Sequence, residues 1–210
     1  MSRREFMFIG KYNKSVIVTY MGVVFSILGV YCALNNNVRF AMIFLIFSGI
    51  CDLFDGKYAN LHKRTKEEKA FGVQIDSLAD MINFVAAPVV IALCLGLNNW
   101  YHLVIYSLYV LAGITRLGYF NIQVGDDFDV PIKYYSGLPV TYAALIFPVV
   151  WITSFWLETS VFKALYALTV FIVGLLFIAN IKIKKPRGWA YLFFICLAVV
   201  LVSFIIAKGM

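Results

Sequence analysis

Four aspartates lie within two neighbouring stretches of the sequence, Asp52-Leu-Phe-Asp55-Gly56-Lys-Tyr-Ala59-Asn60 and Gly72-Val-Gln-Ile-Asp76-Ser-Leu-Ala-Asp80. In each stretch the aspartates and the small residues are spaced so that they share one face of a helix. The charged run 61–71 between them is polar enough to form a loop in water. Two helices joined by this loop would bring all four carboxylates together at one depth in a membrane.

The four carboxylates indicate a metal site. Carboxylates at the edge of a bilayer are costly unless they are paired, hydrated or bound to cations. Four of them on facing helices would repel one another if all were ionised, and a divalent cation removes that conflict. Hard oxygen ligands suit Mg²⁺ or Mn²⁺, or Ca²⁺, rather than a metal bound by thiolates. Gly56, Ala59 and Gly72 leave room for a bulky ligand near the backbone. The alternative is a hydrated helix end with unrelated surface charges.

The composition indicates an integral membrane protein. Of 210 residues, 62% are hydrophobic and 14% are charged, and a soluble domain of this size could not bury so much apolar surface. The net charge of +7 does not indicate a nucleic-acid partner, because the cations are distributed as membrane topology requires. The four cysteines show no metal-ligand spacing, so we expect free thiols. We expect one integral membrane domain over 1–210, with an interfacial segment at 1–14 and a transmembrane bundle at 15–207.

Seven apolar segments approach or exceed the ~20 residues that span a bilayer. They are 15–34, 38–56, 73–96, 101–120, 137–157, 160–181 and 189–207. With the N-terminus inside, 15 of the 18 Lys and Arg residues fall on one side, as the positive-inside rule requires of the cytoplasm. The sequence thus predicts an all-α, polytopic helix bundle in the cell (plasma) membrane, with the aspartates near its cytoplasmic face. Pro88 is expected to bend the third segment, and a neighbouring helix to satisfy the freed carbonyl.

A second polar stretch covers residues 115–139. It places Arg116 and Asn121 at the inner end of the fourth segment, with Ser136 just before the fifth. The guanidinium of Arg116 offers a planar fork for a carboxylate or a phosphate. The alternative for Arg116 is snorkelling to lipid headgroups.

The two aspartate stretches resemble the signature of the CDP-alcohol phosphotransferase family, Asp-x2-Asp-Gly-x2-Ala-Arg, a spacer, and Gly-x3-Asp-x3-Asp. The matching positions are Asp52, Asp55, Gly56, Ala59, Gly72, Asp76 and Asp80. Asn60 stands where the family has Arg, and the spacer 61–71 is longer than usual; Lys63 and Arg64 are candidates to replace the missing contact. Arg116-Leu-x-x-Phe-Asn121, Gly137-Leu-Pro and Asp76-Ser-Leu-Ala-Asp80 are similar to the phosphatidylserine synthase branch of the family. The combined match covers about residues 48–140.

This resemblance implies attack of an alcohol hydroxyl on the β-phosphoryl group of a CDP-linked lipid, with release of CMP. It implies two Mg²⁺ or Mn²⁺ ions, held by Asp52, Asp55, Asp76 and Asp80. Asp80 is also the implied base for the hydroxyl. The residues implied to bind the CDP-lipid are Gly56, Lys57, Ala59, Arg64 and Gly72.

The same resemblance implies the partners and the assembly. The substrates would be CDP-diacylglycerol and L-serine; Arg116 would hold the serine carboxylate, and Asn121 and Ser136 would orient its other polar groups. Homodimers are implied. The family core has six transmembrane helices, so segment 189–207 is either an additional C-terminal helix or not a span.

Three alternatives stay open. Within the family, the acceptor could be glycerol 3-phosphate or inositol phosphate, whose dianionic phosphate would favour more cations than Arg116 and Lys133 supply. A cation transporter would carry ionisable groups or broken helices deep in several spans, often in repeated halves, whereas the acids here cluster at one side. A catalytically dead membrane scaffold is disfavoured because all four signature aspartates are intact.

Overall fold

The computed structural model describes Gly10 and residues 14–59, 65–124, 134–184 and 188–208. Its helices are α1 (Lys14–Leu34), α2 (Val38–Ala59), α3 (Lys66–Asp80), a π-helical segment (Met81–Ala86), α4 (Ala87–Cys94), α5 (Trp100–Val124), α6 (Ala143–Ile152), α7 (Thr159–Ile178) and α8 (Trp189–Ala207). The strands are β1 (Tyr134–Ser136) and β2 (Lys182–Lys184). Short 3₁₀ turns, Val140–Tyr142 and Thr153–Phe155, flank α6. The predicted interfacial segment 1–14 lies almost entirely outside the described residues.

The fold is that of a polytopic helical membrane protein, as the composition predicts. Five stretches are long and apolar enough to cross a membrane: Ser15–Leu34, Lys66–Cys94, Trp100–Gln123, Thr159–Ile178 and Trp189–Ala207. Two further helices complete the set. α2, with 22 residues, is long enough to cross a membrane but carries Arg39 and two aspartates, and the apolar helix Val140–Phe155 is shorter. Within the described ranges, these seven helices correspond to the seven predicted segments.

The third helix begins earlier than predicted. The charged run 61–71 predicts a loop, but α3 starts at Lys66, where Thr65 and Glu68 form a capping box. The Glu68 N–H donates to the Thr65 hydroxyl (3.2 Å), and the Thr65 N–H donates to Glu68 Oε2 (2.8 Å). Reciprocal bonds of this kind satisfy backbone donors that a helix start leaves free. The loop prediction was therefore wrong for residues 66–71, and the acid-bearing helix is longer than the apolar pattern alone indicates.

The π-helical segment lies directly between Asp80 and Pro88. Proline has no N–H, so the carbonyl of Phe84, four residues earlier, loses its usual helical donor. The Tyr109 hydroxyl on α5 donates a hydrogen bond to this carbonyl at 2.6 Å. The prediction that a neighbouring helix satisfies the freed carbonyl is confirmed. This bond also ties the helix that carries Asp80 to α5, which carries Arg116.

α1 and α2 form a helical hairpin whose contact contains small residues. A Cβ on Gly22 would lie 3.3 Å from the Cβ of Cys51, and one on Gly29 would lie 3.3 Å from the Ala41 carbonyl oxygen. Such close approach is typical of helix packing in membranes. It brings Ser15 and Thr19, near the start of α1, against Asp55 of α2.

A two-stranded antiparallel ladder joins two loops of the bundle, and the all-α expectation did not include it. Tyr134 pairs with Lys184, Tyr135 with Ile183 and Ser136 with Lys182. Gly137 follows β1 with φ of +77°, and a Cβ there would collide with the Phe177 carbonyl oxygen. Glycine is therefore required at this turn. The ladder holds Tyr135 near the helix ends that carry the acidic residues.

Candidate active site

Three carboxylates converge from two helices. Asp52 on α2 and Asp76 and Asp80 on α3 each offer an oxygen within 4.8 Å of the others. Asp80 and Thr141 are polar neighbours of the Asp52 side chain. The two signature stretches therefore meet as the helical spacing predicts, although they are separated by the charged run in sequence.

The fourth aspartate, Asp55, is directed to α1. The Thr19 hydroxyl donates to Asp55 Oδ2 at 2.6 Å, and the Ser15 hydroxyl donates to the Asp55 carbonyl oxygen at 3.0 Å. The Asp55 side chain is 5% exposed. A hydrogen bond to a buried carboxylate is short and strong, so Thr19 fixes one oxygen of Asp55. The cluster thus consists of a compact group of three acids and a fourth acid held beside it.

All four aspartates line one cavity of about 280 Å³. Its polar end also includes Gly56, Arg116, Tyr135 and Thr141. The rest of its wall is largely apolar and comes from α2, α5, the start of the fifth apolar segment and α8, with Ile46, Gly49, Ile50, Leu53, Leu117, Phe120, Pro139, Val140, Tyr142, Ala144, Leu145, Tyr191, Phe194 and Ala198. A cavity with a charged end and an apolar end suits an amphipathic ligand.

Arg116 is buried in the wall of this cavity and is held by three neighbours. Its side chain is 5% exposed, and its Nε–H donates to the Leu138 carbonyl oxygen at 3.3 Å. Its guanidinium carbon lies 5.5 Å from the centroid of the Phe120 ring and 5.8 Å from that of Tyr135. Stacking against aromatic rings favours a guanidinium over an ammonium group. The structure therefore does not place Arg116 at a lipid headgroup by snorkelling; it presents a fixed cation to the cavity.

Tyr135 lies beside Arg116, and burial raises the pKa of its phenol. A phenol is protonated at neutral pH even at its ordinary pKa of about 10, and burial favours this neutral form further. Tyr135 is positioned by the β1–β2 ladder, which no pattern in the sequence predicted.

Several predicted site residues lie elsewhere. Asn121 Oδ1 accepts a hydrogen bond from the Ser77 hydroxyl at 2.7 Å, and Ser136 Oγ accepts one from Gln123 Nε2 at 3.2 Å. Neither residue lines the cavity, and neither does Gly72. Asn121 therefore links α5 to the acid-bearing helix instead of contacting the cavity. The side chains of Lys57 and Ala59, and the whole of Arg64, lie outside the described part of the chain.

The structure adds site residues that sequence reasoning missed, namely Thr19, Tyr135, Thr141 and Tyr191. Thr19 is 36 residues from Asp55, and no spacing rule connects them. The available signal was weak: each is a hydroxyl-bearing side chain near the N-terminal end of an apolar segment.

Residues 12–178 match the CDP-alcohol phosphatidyltransferase family. This match covers most of the chain, and the protein belongs to that family. The resemblance noted in the aspartate stretches is thereby confirmed.

The names of three relatives refer to serine or to a serine-containing lipid. CDP-diacylglycerol–serine O-phosphatidyltransferase of Saccharomyces cerevisiae is 38% identical over 109 residues, which are 49% of this chain and 38% of the yeast protein. Archaetidylserine synthase of Methanothermobacter thermautotrophicus is 28% identical over 162 residues, 77% of this chain and 65% of the relative. CDP-diacylglycerol–serine O-phosphatidyltransferase of Bacillus subtilis is 24% identical over 131 residues, 61% of this chain and 70% of the relative. The chain thus aligns with less than two thirds of the first two proteins.

The donor set at the polar end fits a divalent cation. Four aspartates line the cavity, whereas Arg116 is the one Lys or Arg among the described residues that do so. Hard oxygen ligands from aspartates are those that Mg²⁺ and Mn²⁺ prefer. A bound cation would also relieve the repulsion among acids held within 4.8 Å of one another.

Proposed function

We propose that this protein transfers the phosphatidyl group of CDP-diacylglycerol to the hydroxyl of L-serine, giving phosphatidylserine and CMP. The observation that carries the proposal is the shared cavity of the four signature aspartates and Arg116. The names of the yeast and Bacillus relatives specify CDP-diacylglycerol and serine. The archaeal relative is named for archaetidylserine, which supports serine as the acceptor while leaving the lipid backbone to be tested.

In the proposed reaction, Asp80 accepts the proton of the serine hydroxyl as the serine oxygen bonds to the phosphorus that carries the lipid. The bond between this phosphorus and the bridging oxygen breaks, and CMP leaves with the electron pair. Asp80 is 9% exposed, so the proton acceptor is shielded from bulk water. A base in this position must lie within hydrogen-bond reach of the attacking hydroxyl, which the cavity beside Asp80 allows.

Asp52, Asp76 and Asp80 would hold a Mg²⁺ or Mn²⁺ ion, and Asp55 would contribute to a second. When bound, these ions neutralise the pyrophosphate and the departing phosphate of CMP. The protein's own task is to hold the oxygen donors in place. Thr141 and Asp52 line the same cavity, and the Thr19 hydroxyl donates to Asp55.

Arg116 is the residue that we assign to the acceptor. A single guanidinium can bind a carboxylate or a phosphate in a bidentate pair, but the dianionic phosphate of glycerol 3-phosphate or inositol phosphate would favour more cations than this one. The Tyr135 ring lies against this guanidinium and lines the same cavity. Serine is therefore the acceptor that the charges of the cavity favour.

We also propose that residues 1–210 form one domain of the plasma membrane with the cavity at the cytoplasmic side. This orientation is supported by the basic run that follows α2 and by the distribution of Lys and Arg along the chain. A homodimer is proposed from the family resemblance alone.

The decisive experiment measures CMP release by purified protein from CDP-diacylglycerol with Mn²⁺ or Mg²⁺. Serine, glycerol 3-phosphate and inositol phosphate are offered separately. Release that needs both metal and serine is the expected result. Release with another acceptor would keep the reaction class and overturn the assignment of Arg116. No release with any acceptor, from folded protein, would favour the transporter or scaffold alternatives.

Gly56→Ala should weaken CDP-lipid binding without destabilising the protein. A Cβ at Gly56 would meet no protein atom within 4 Å, so the space beside it is free for a ligand. We expect the KM for the CDP-lipid to rise about tenfold, since overpacking costs about 1–3 kcal/mol. Thermal stability should be unchanged or higher, because Ala is the better helix former.

Gly118→Ala is the matched control for this prediction. Gly118 is also helical and exposed, and a Cβ there would also meet nothing within 4 Å, but it does not line the cavity. An equal rise of KM in both variants would contradict a specific role for Gly56.

Thr19→Val should lower the affinity for Mn²⁺ while keeping the shape of the side chain. It removes the hydrogen bond to Asp55, and a bond to a charged group contributes about 1.5–3 kcal/mol. We expect an affinity loss of about tenfold, measured by calorimetric titration of Mn²⁺ in the absence of substrate. Thr19→Ser should restore most of the affinity.

The control is Thr169→Val on α7, whose hydroxyl donates to the Leu165 carbonyl oxygen. It makes the same chemical change away from the cavity and should bind Mn²⁺ normally. Wild-type Mn²⁺ affinity in folded Thr19→Val protein would show that Asp55 needs no support from α1.

A further inference from the structure

We propose that the first half of α8, residues 191–198, is the wall of a binding site for one acyl chain of the CDP-lipid and selects its length. This inference rests on the proposed function, because it assigns the apolar end of the same cavity. The family match ends at residue 178, so α8 is a part of this chain to which the matched family region assigns nothing.

α8 presents one face to the cavity. Tyr191, Phe194 and Ala198 line it, and their spacing of three and four residues places them on one side of the helix. The opposite face carries exposed apolar residues, Leu192, Phe193, Val199 and Val200, as expected of a surface in contact with membrane lipid. α8 therefore separates the cavity from the bilayer.

The apolar end of the cavity extends away from the acids towards the middle of the membrane. On α2, Ile46 lies six residues before Asp52, about 9 Å along the helix axis at ~1.5 Å per residue. On α8, Ala198 lies seven residues beyond Tyr191, about 10 Å by the same measure. Ile46 and Ala198 are both buried and mark the deep end. The cavity thus has a polar end at the aspartates and an apolar branch that runs from there towards the middle of the membrane.

The chemistry of this branch specifies its occupant. Its described lining, Ile46, Gly49, Ile50, Leu145, Phe194 and Ala198, offers no charge. A lipid whose pyrophosphate lies at the aspartates must direct its hydrocarbon away from them. The apolar wall begins next to the aspartates, so the hydrocarbon would enter it directly. A chain that enters the branch from the bilayer exchanges one apolar environment for another, so it gains little hydrophobic free energy. The branch therefore acts mainly through its shape, which fixes where the chain runs and how far it reaches.

The two ends of α8 are held differently. Near its C-terminus, the Phe204 ring lies 6.4 Å from Phe155 and 5.8 Å from Trp156, and Lys208 Nζ lies 5.6 Å from the Trp156 ring. Near its start, the Phe194 ring packs against Tyr142 at 5.5 Å. The C-terminal end of α8 is thus anchored by an aromatic cluster. The part of α8 that lines the cavity is held by the contact between Phe194 and Tyr142.

The test compares Ala198→Phe with the adjacent Val199→Phe. Both variants add a ring to α8, the first inside the cavity and the second on the lipid-facing side, where Val199 is 58% exposed. Purified proteins are assayed for CMP release with dioctanoyl and dioleoyl CDP-glycerol lipids at saturating serine. For Ala198→Phe, we expect the ratio of kcat/KM for dioleoyl over dioctanoyl substrate to fall about tenfold or more, because the added ring occupies the space that the longer chain needs. Val199→Phe should leave this ratio at the wild-type value.

The outcomes separate this inference from the proposed function. Inactivity of the wild-type protein with every CDP-lipid would overturn both. Wild-type activity together with an unchanged chain-length ratio in Ala198→Phe would overturn only the assignment of α8. Phe194→Ala is a second variant that widens the branch, and it should shift the ratio towards longer chains; if Ala198→Phe does not fold, a ratio unaltered in Phe194→Ala would refute the assignment.

Discussion

Asp80→Asn should lower turnover by about 10²–10⁴-fold, the range in which a positioned general base contributes. The amide keeps the size of the side chain and one oxygen, but it cannot accept the proton of the serine hydroxyl. Binding of the CDP-lipid should stay measurable, because Asp52 and Asp76 still provide carboxylates at the same place. CMP release gives the turnover, and titration with a CDP-lipid in detergent gives the affinity.

Glu158→Gln provides the control for this substitution. Glu158 is an exposed acid at the start of α7, so the same neutralisation there should leave turnover unchanged. Wild-type turnover of Asp80→Asn would exclude Asp80 as the base. Loss of CDP-lipid binding in the same variant would instead show that its main role is to hold the cation.

Arg116→Lys should raise the KM for serine by about tenfold to a hundredfold. Lysine keeps the positive charge but loses the planar fork that binds a carboxylate through two hydrogen bonds. It also loses the Nε–H donor to Leu138 and the stacking on Phe120 and Tyr135. The KM for the CDP-lipid should change little, so the two constants measured separately distinguish an acceptor residue from a phosphate ligand.

Arg39→Lys makes the same change in the first turn of α2, at the other end of that helix from the aspartates. Serine kinetics of this control should match those of the wild type. A selective rise of the KM for the CDP-lipid in Arg116→Lys would move Arg116 to the pyrophosphate and reopen the choice of acceptor.

The helical periodicity and the hydropathy of the chain were enough to predict its fold class and the convergence of the acids. Asp52, Asp76 and Asp80 meet because helix geometry puts regularly spaced residues on one face, and because apolar segments must cross the membrane as helices. Pro88 allowed one further prediction. Its missing N–H leaves the carbonyl of Phe84 without a helical donor, so a neighbouring residue must donate a hydrogen bond to it. These features follow from local chemistry, which a sequence displays directly.

The remaining features depend on contacts between distant parts of the chain. The bond from Thr19 to Asp55 and the pairing of β1 with β2 arise from how helices and loops are packed, and neither has a local signature. Asn121 illustrates the same limit. Its position suggested a ligand contact, but the approach of α5 to α3 gave it Ser77 as a partner. Thr65 did have a readable signature with Glu68, and the capping box accounts for the early start of α3.

The pairing of β1 with β2 constrains how the chain threads through the membrane. Hydrogen-bonded strands must lie on the same side of a bilayer, so the chain between them crosses an even number of times. α7 provides one crossing, and Val140–Phe155 must therefore provide the other, although it is shorter than the other spans. Its 3₁₀ ends rise ~2.0 Å per residue instead of ~1.5 Å, so it covers about 27 Å, close to the ~30 Å of a hydrocarbon core. This parity makes the short helix a full membrane crossing and keeps Tyr135 on the same side as β2.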